Sequence, residues 1–353
     1  MRMKKKHNEK RPRSLSAGVL VTALLLTAGC GTVLANQTGT ALEEPVDEIK
    51  DQELLTSKED IERDLYDMLE KRARGSGVFF APEQAAAEEK FFADLKKRAE
   101  KRRTVSLPNE QKLEMIWIEP STFTMGSTYA LLKHTSFPGN WKDVGPHGVT
   151  LTKEYWLGKC EVTQGQYEAI MGKNPSHFKG ADLPVETVSW FDAMEFCKKL
   201  TAQERAAERL PEGYEYTLPT EAQWECACWA GTKESLSILD PGTNTSMGYF
   251  GSFWFDLNSH NTTHPVGQSS PNLWSLYDMV GNVWEWCLDN YDMCEKDYPR
   301  IDPKGAVDCS LHVYHGGSWF SSYVNCRASA RRSNAPGYQN IDLGFRVALV
   351  PVQ

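Results

Sequence analysis

Residues 265–286 read PVGQSSPNLWSLYDMVGNVWEW, and residues 315–320 read HGGSWF. Glycine, asparagine, proline and serine mark turns every few residues in both stretches, and large aromatic side chains stand between the turns. All eleven Trp residues of the chain fall between Trp117 and Trp319. Such side chains supply the apolar area that short helices and strands do not. The pattern predicts a loop-rich α+β domain with short sheets, because strands and helices do not alternate as in a doubly wound fold.

Two stretches of this domain have helical character. They are SWFDAMEFCKKLTAQ at 189–203 and TEAQWECACWA at 220–230. In the second, Thr220 is a natural N-cap, and Glu221 is a favourable acidic residue in the first turn. We therefore predict two main helices in a domain that spans residues 108–353.

Residues 30–107 differ from the domain in composition. Between residues 31 and 107 the chain is dense in charge and contains no Trp. Apolar residues recur there at helical spacing and predict two amphipathic N-terminal helices, separated by Gly75-Ser76-Gly77 and Pro82. We interpret the segment as a charged helical stalk or linker, and favour a solvated linker over helices docked on the domain. The apolar positions are Ile61, Leu65, Met68 and Leu69 in one helix, and Phe91, Phe92 and Leu95 in the other.

The N-terminus has the organisation of an export signal. Residues 1–29 hold seven basic side chains and one acidic side chain, and residues 17–28 form the apolar run AGVLVTALLLTA. This run is too short to span a bilayer and is typical of a secretory signal peptide. The following Thr27-Ala28-Gly29-Cys30 resembles a bacterial lipobox, which implies lipidation of Cys30. The alternative is an ordinary signal peptide with an incidental cysteine.

The charge balance excludes some classes of partner. The chain carries 39 Lys and Arg against 47 Asp and Glu, a net charge of −8. A chain this acidic is not expected to bind nucleic acid, or to bind anionic lipid through its charge. We therefore expect a protein of the bacterial cell envelope, periplasmic or surface-exposed, that is held at the membrane by acyl chains.

Eight motifs in one order resemble the formylglycine-generating enzyme, or sulfatase-modifying factor, family. The resemblance covers nearly all of residues 112–350 and implies a C-type-lectin-like fold. The motifs are IWIEPSTFTMGS (116–127), HGVTLTKEYWLGKCEVTQGQY (147–167), LPVETVSWFDAMEFCKKL (183–200), YTLPTEAQWECACWAGT (216–232), PVGQSSPNLWSLYDMVGNVWEW (265–286), HGGSWF (315–320), NCRASARR (325–332) and LGFRVAL (343–349).

The resemblance also implies a chemistry that this chain matches only in part. Active members resemble copper oxidases that convert a sulfatase Cys to formylglycine with O2. Their Cu(I) is held by two thiolates in the pattern Gly-Gly-Ser-x-x-Cys-x4-Cys. Here the two positions after Ser318 are Ser321 and Cys326. A hydroxyl does not replace a thiolate as a ligand for Cu(I), so Ser318 and Cys326 are the catalytic candidates that remain.

Cys326 has a second interpretation, which we favour. Family members without the catalytic pair carry a similar Cys-Arg-Ser-Ala run, in which the Cys resembles a disulfide partner of the position held here by Cys228. An exported protein meets an oxidising environment that permits such a disulfide. Copper ligation by Cys326 stays the alternative.

The family also has a calcium loop that matches residues 278–286. The match implies that Ca²⁺ is bound by the Asp278 and Glu285 side chains and by the Gly281 and Val283 carbonyls. Hard oxygen ligands of this kind suit Ca²⁺. The alternative is that both carboxylates belong to a turn and to the surface.

Three residues stand at groove or active-site positions of the family. Trp284 and Ser318 agree with the family, whereas the Asn expected before Leu-Gly-Phe-Arg is Asp342 here. A carboxylate changes both the charge and the donors of that position. The sulfatase peptide is therefore not expected to be recognised in the same way.

These observations favour a non-catalytic binding or structural module. It would be exported, lipid-anchored, and directed to a protein, peptide or glycan at the cell envelope. One alternative is a copper-dependent oxidase that uses Cys326, and another is a different enzyme on the same scaffold with no site that the sequence assigns.

Overall fold

The computed structural model describes residues 85–126, 145–232, 253–291, 300–306 and 309–352. No helix in these ranges is long and apolar enough to cross a bilayer. The predicted signal peptide, Cys30 and the first N-terminal helix lie outside them. The helices are α1 (Ala85–Glu100), α2 (Gln164–Met171), α3 (Trp190–Ala206) and α4 (Glu221–Trp229). The strands are β1 (Arg103–Ser106), β2 (Lys112–Ile118), β3 (Ser121–Met125), β4 (His147–Leu151), β5 (Tyr155–Gly158), β6 (Tyr214–Thr217), β7 (Trp284–Asn290), β8 (His312–His315), β9 (Arg331–Asn334), β10 (Leu343–Gly344) and β11 (Ala348–Pro351).

Within the described ranges, short strands form three sheets. The largest has the order β1-β2-β5-β11-β6, with every pair antiparallel, and the second has the order β10-β7-β8-β9. Strands β3 and β4 form a two-stranded ribbon. Strand β11, at the C-terminal end, lies between β5 and β6 and so joins distant parts of the chain. The predicted α+β class is confirmed.

The two predicted main helices are present with their expected caps. Thr220 caps α4 and Ser189 caps α3, and each forms a capping box with the residue three positions on, Gln223 or Asp192. Each box satisfies two backbone N–H groups that the first helical turn leaves without a partner. The helix starts therefore follow from local sequence.

Tryptophan side chains fill the interior, as the sequence predicts. Trp284 and Trp286 of β7 lie in a cluster with α3 and the large sheet. Trp224 of α4 lies in a second cluster, which also contains residues of β2 to β5. All three indoles are almost fully buried. Strand β7 therefore contributes side chains to both clusters: Trp284 and Trp286 to the first, and Cys287 to the second, where it joins Trp224 of α4.

The domain includes residues that precede Pro108. Strand β1 pairs with β2, and α1 packs against β2 with Leu95 and Arg98 buried. The second predicted N-terminal helix is thus docked on the domain rather than solvated. Arg98 holds it there: its guanidinium donates to the Trp117 carbonyl at 3.0 Å and to Glu119 at 3.1 Å, and stacks on Trp274 at 4.1 Å. Burial of these donors makes them costly to lose.

Replacing Arg98 should therefore undock α1. We expect Arg98→Ala to lower the free energy of unfolding by about 2–3 kcal/mol, since charged hydrogen bonds and a stacked guanidinium are lost together. The matched control is Lys96→Ala on the exposed face of the same helix, with an expected loss of about 0.5 kcal/mol or less. Urea unfolding measures both. Equal, small effects would show that α1 contributes nothing to the stability of the domain.

Candidate functional site

The segment after β8 begins with two glycines that no other residue could replace without strain. Gly316 and Gly317 both have positive φ, at 101° and 81°. A Cβ on Gly317 would lie 2.7 Å from the Cys326 sulfur and 2.9 Å from the Asn325 carbonyl oxygen. The close approach is possible only without a side chain. It brings Ser318 to the end of a tight turn.

Ser318, Ser321 and Asp342 form one chain of hydrogen bonds. The Ser318 hydroxyl donates to Asp342 Oδ2 at 2.9 Å, and the Ser318 backbone N–H donates to Ser321 Oγ at 3.0 Å. The two hydroxyl oxygens are 3.0 Å apart. Because the Ser318 hydrogen is directed to Asp342, the Ser321 hydroxyl is the donor between the two serines. The hydroxyl at the missing thiolate position is therefore already used within the protein.

The predicted groove residues Trp284 and Asp342 lie together with Ser318. The Trp284 backbone N–H donates to the Asp342 carbonyl at 2.8 Å, and the Arg332 guanidinium lies 4.6 Å from the centre of the Trp284 ring. Burial raises the pKa of the Asp342 carboxyl, against the Ser318 hydrogen bond and the charge of Arg332. We call Trp284, Ser318, Asp342 and Arg332 the floor of the site. It combines the buried Asp342 carboxylate with the Arg332 guanidinium over the Trp284 indole.

Exposed apolar side chains lie close in the sequence to Ser318 and Asp342. Phe320 is 66% exposed, Tyr338 36% and Ile341 37%. Trp319, which precedes Phe320, donates from its indole to the Ile341 carbonyl at 3.2 Å, and Tyr338 lies within electrostatic range of Arg332. We call Phe320, Tyr338 and Ile341 the aromatic rim. The sequence analysis did not identify it, or Arg332, because exposure depends on how the loops fold.

A buried ionic network fixes the start of the same loop. His315, the residue before Gly316, pairs with Glu221 of α4 at 2.8 Å, and its other ring nitrogen lies 3.1 Å from the Ala328 carbonyl. Arg331 of β9 contacts the same Glu221 carboxylate at 2.7 and 2.8 Å. Helix α4 is thereby linked to β8 and β9, next to the candidate site. Sequence reasoning missed this network, whose members lie 94 and 110 residues apart.

Cys326 is not placed for copper chemistry. Its side chain is fully buried against Phe253 and Phe255, and burial raises the pKa of its thiol. Copper(I) requires thiolates, whereas Ser321 supplies a hydroxyl that is already hydrogen-bonded. In the ranges that the structure describes, no three His, Cys, Asp or Glu side chains are grouped to hold a metal. The donor set does not fit Cu(I).

The disulfide expected between Cys228 and Cys326 is absent from the structure. Both residues are thiols. The Cys228 sulfur is directed at the Met279 carbonyl at 3.9 Å and belongs to the cluster under α4, whereas Cys326 lies under Gly317 in a separate cluster. Val280 packs against both clusters, and the disulfide between Cys228 and Cys326 stays a prediction.

The predicted calcium loop forms its turn, but the carboxylates of Asp278 and Glu285 already accept hydrogen bonds from the protein. Glu285 accepts two hydrogen bonds of 2.6 Å from Arg346 and one of 2.6 Å from the Trp224 indole. Asp278 accepts from the Gly267 backbone at 2.6 Å and from the Ser269 hydroxyl. All four carboxylate oxygens have donors, and a guanidinium already lies beside Glu285.

The backbone of that loop is held by a different acid. Gly281 has φ of 81° and lies so close to Trp254 that a Cβ would meet its carbonyl oxygen at 2.3 Å. Glu161 accepts from the Val283 backbone at 3.1 Å and from the Asn282 amide at 2.7 Å. Protein groups therefore satisfy the loop without an ion. The arrangement does not fit Ca²⁺ with Glu285 as a ligand.

Stability should depend on Asp342 in a way that reveals its burial. A raised pKa means that the folded state favours the protonated carboxyl, so stability is lost as the pH rises above about 4. We expect Asp342→Asn to be more stable than the parent at pH 7 and equal to it at pH 3, measured by urea unfolding.

Asp192 is the matched control with the opposite sign. Although burial opposes it, hydrogen bonds from Ser189 and Gln339 lower the pKa of this carboxyl. Its contribution is present above its ordinary pKa and is lost as the pH falls. Asp192→Asn should therefore be destabilised at pH 7. A loss of stability at pH 7 for Asp342→Asn as well would contradict the burial argument.

Calcium should not stabilise this loop. Because donors already occupy the oxygens of Asp278 and Glu285, we expect the same melting temperature in excess EDTA and in millimolar CaCl2, with MgCl2 as the control cation. A specific increase of several degrees with CaCl2 would show that an ion displaces Arg346 or shares its carboxylate.

Comparison with known proteins identifies the family. Residues 101–350 match the sulfatase-modifying factor enzyme 1-like domain. The chain is 30% identical over 239 residues to chaperone protein LppX of Paenibacillus barcinonensis, covering 56% of this chain and 81% of that protein. It is 31% identical over 222 residues to the formylglycine-generating enzyme of Thermomonospora curvata, covering 59% of this chain but less than two thirds, 65%, of that enzyme.

A solved structure agrees with this comparison. Treponema denticola variable protein 1 superposes with a TM-score of 0.58 at 31% identity, over 70% of this chain and 98% of that one. The motif order, the caps, the Trp-filled core and the Gly-Gly-Ser turn thus lie on a scaffold shared with known proteins. The chain belongs to the sulfatase-modifying factor family, the family of the formylglycine-generating enzymes.

Proposed function

We propose that this protein is a non-catalytic module that binds exposed segments of other polypeptides at the bacterial cell envelope. The observation that carries the proposal is the state of the two positions where the family's copper thiolates stand. Ser321 is a hydroxyl within a closed hydrogen-bond chain, and Cys326 is buried with a raised thiol pKa. What remains of the site is a surface for binding.

Two observations support a polypeptide as the partner: the names of the relatives, and the exposed side chains of the aromatic rim. One relative is named a chaperone, and others are named formylglycine-generating enzymes, a family whose resemblance implies a peptide substrate. The aromatic rim offers large exposed side chains of the kind that carry most of the energy in protein interfaces. Its polar floor adds Arg332 and Asp342 for orientation.

The place of action rests on the N-terminal sequence. The basic segment, the short apolar run and the lipobox-like Thr27-Ala28-Gly29-Cys30 support export followed by lipidation of Cys30. An anchored binding module would hold its clients close to the membrane. This part of the proposal depends on the sequence alone.

Binding should depend on the aromatic rim. The probe is reduced, carboxymethylated α-lactalbumin, a polypeptide that cannot fold, with affinity read by fluorescence anisotropy. We expect Phe320→Ser with Tyr338→Ser to weaken binding at least about tenfold, since each removes an interface anchor. The matched control is Ile301→Ser, which removes a 64% exposed apolar side chain beside β4.

Two outcomes would count against the proposal. Absence of binding by the parent protein would remove the polypeptide-binding function. Formylglycine in a Cys-containing sulfatase peptide incubated with the protein, copper and O2 would restore the oxidase. The Ser321→Cys variant restores a thiol at the first copper position. We expect no Cu(I) binding by this variant, because Cys326 stays buried.

A further inference from the structure

We propose that the polypeptide bound at the aromatic rim is an apolar segment with acidic residues on one side, and that Leu257, Lys173 and Lys179 select it. The inference rests on the proposed function and specifies the class of client. An apolar patch with charge on one side discriminates between partners by their sequence. The features that carry the inference are three turns that meet at the surface and a basic loop beside them.

Three tight turns present one exposed apolar side chain each. In every one of them the last backbone N–H donates to the first carbonyl at 3.0 or 3.1 Å, and the turns span residues 255–258, 318–321 and 340–343. Their inner positions include Leu257, Phe320 and Ile341, which are 74%, 66% and 37% exposed. Apolar side chains with this exposure mark a binding surface when they lie next to one another.

Hydrogen bonds join the three turns. The Asp256 backbone N–H donates to the Ser321 carbonyl at 3.1 Å, one residue from Leu257 and one from Phe320. The bond from the Trp319 indole to the Ile341 carbonyl connects the turn at 318–321 to the turn at 340–343. The backbone positions that carry the exposed side chains are therefore held together. We call Leu257, Phe320 and Ile341 the apolar corner patch.

The loop after α2, residues 172–180, brings positive charge to this patch, and we call it the basic loop. Phe178 packs edge to face on the Trp319 indole, with ring centres 5.4 Å apart. The next residue, Lys179, is exposed and donates to the Asn174 carbonyl at 3.2 Å. In the part of the chain that the structure describes, no carboxylate lies within ion-pair distance of Lys179. Its charge is therefore available to a partner.

The two ends of the patch differ in charge. Lys173 of the basic loop lies 3.8 Å from Asp192, which also accepts from the Gln339 amide at 3.0 Å, so this lysine stands at the Ile341 end. Its side chain is 62% exposed. At the other end, the exposed Asp256 directly precedes Leu257. An acidic residue of a client is thus attracted at the basic loop and repelled beside Leu257.

The inferred client is therefore a segment whose apolar residues cover the apolar corner patch and whose acidic residues lie over the basic loop. The protein as a whole has a net charge of −8, so the basic loop is a local exception that favours such a segment. A polypeptide fits this surface better than a lipid bilayer. Insertion of Leu257 would bring Asp256 to the negatively charged surface of the membrane, which is unfavourable.

Synthetic peptides test the charge of the client. They share an apolar core of alternating Leu, Phe and Ser and carry a run of Glu, Gln or Lys at one end, in versions for either end. Fluorescence anisotropy with the intact protein gives the affinities. In the better orientation we expect the Glu peptide to bind about fivefold more tightly than the Gln peptide, and the Lys peptide most weakly, since exposed ion pairs contribute modestly. A peptide with Glu at both ends should bind more weakly than the better single-ended one, because Asp256 opposes the second run.

Variants assign the preference to residues. Lys173→Gln with Lys179→Gln should abolish the difference between the Glu and Gln peptides and leave the affinity for the Gln peptide unchanged. The matched control is Lys96→Gln on the exposed face of α1, which should keep the difference. Leu257→Ser should weaken binding of all the peptides at least about fivefold, with Ile301→Ser as its control. Melting temperatures should stay close to that of the parent, because every replaced side chain is exposed.

Equal affinities for the Glu, Gln and Lys peptides would overturn the proposed client and leave polypeptide binding intact. A Glu preference that survives in the double lysine variant would exclude the basic loop as its cause. Binding to phosphatidylcholine vesicles that depends on Leu257, without binding of any peptide, would assign the patch to a lipid surface instead. If reduced, carboxymethylated α-lactalbumin binds and the peptides do not, only the client class fails. If neither binds, the proposed function fails as well.

Discussion

The buried guanidinium of Arg346 is the interaction on which the centre of this domain depends. Its side chain is fully buried, and it binds both oxygens of Glu285 at 2.6 Å together with the Gly158 and Tyr277 carbonyls at 3.0 Å. These partners lie at the end of β5, in the loop before β7, and in β7 itself. Such a charge is tolerable only because every donor has an acceptor. In a domain with short strands, this single group therefore connects segments that regular structure does not.

The surroundings of Arg346 explain why the loop resembles a cation site without fitting one. Asp278, Glu161 and Glu285 are all buried near it, and burial followed by the charges of Asp278 and Glu285 raises the pKa of Glu161. Glu161 in turn holds Asn282 and Val283, and Gly281 donates its N–H to the Gly316 carbonyl at 2.9 Å. The position of the Gly-Gly-Ser turn thus depends on a buried charge cluster. The positive charge at the centre of this cluster is the Arg346 guanidinium.

The same scaffold can support catalysis or binding according to very few side chains. Copper chemistry needs two accessible thiolates, and here one position is Ser321 while Cys326 is buried. The hydroxyls of Ser321 and Ser318 then need acceptors, and Asp342 completes the chain. A closed hydrogen-bond chain thus stands here at the position where the family resemblance implies a soft thiolate. The floor of Trp284 with Arg332 remains and can serve recognition.

Local sequence determined those features that depend on neighbouring residues. The starts of α3 and α4 follow from capping boxes, the turn at 316–317 from its two glycines, and the Trp-rich α+β character from the spacing of turns and aromatics. The missing thiolate was also visible, because it is a matter of residue type at a fixed spacing. Tertiary structure decided what depends on distant partners. Arg346 lies 61 residues from Glu285 and takes the carboxylate that sequence alone assigned to calcium. Cys228 and Cys326, which the resemblance paired, lie in different clusters. The docking of α1 and the exposure of the aromatic rim likewise arise only when the chain folds, because burial, exposure and ion pairing are properties of groups that the sequence keeps far apart.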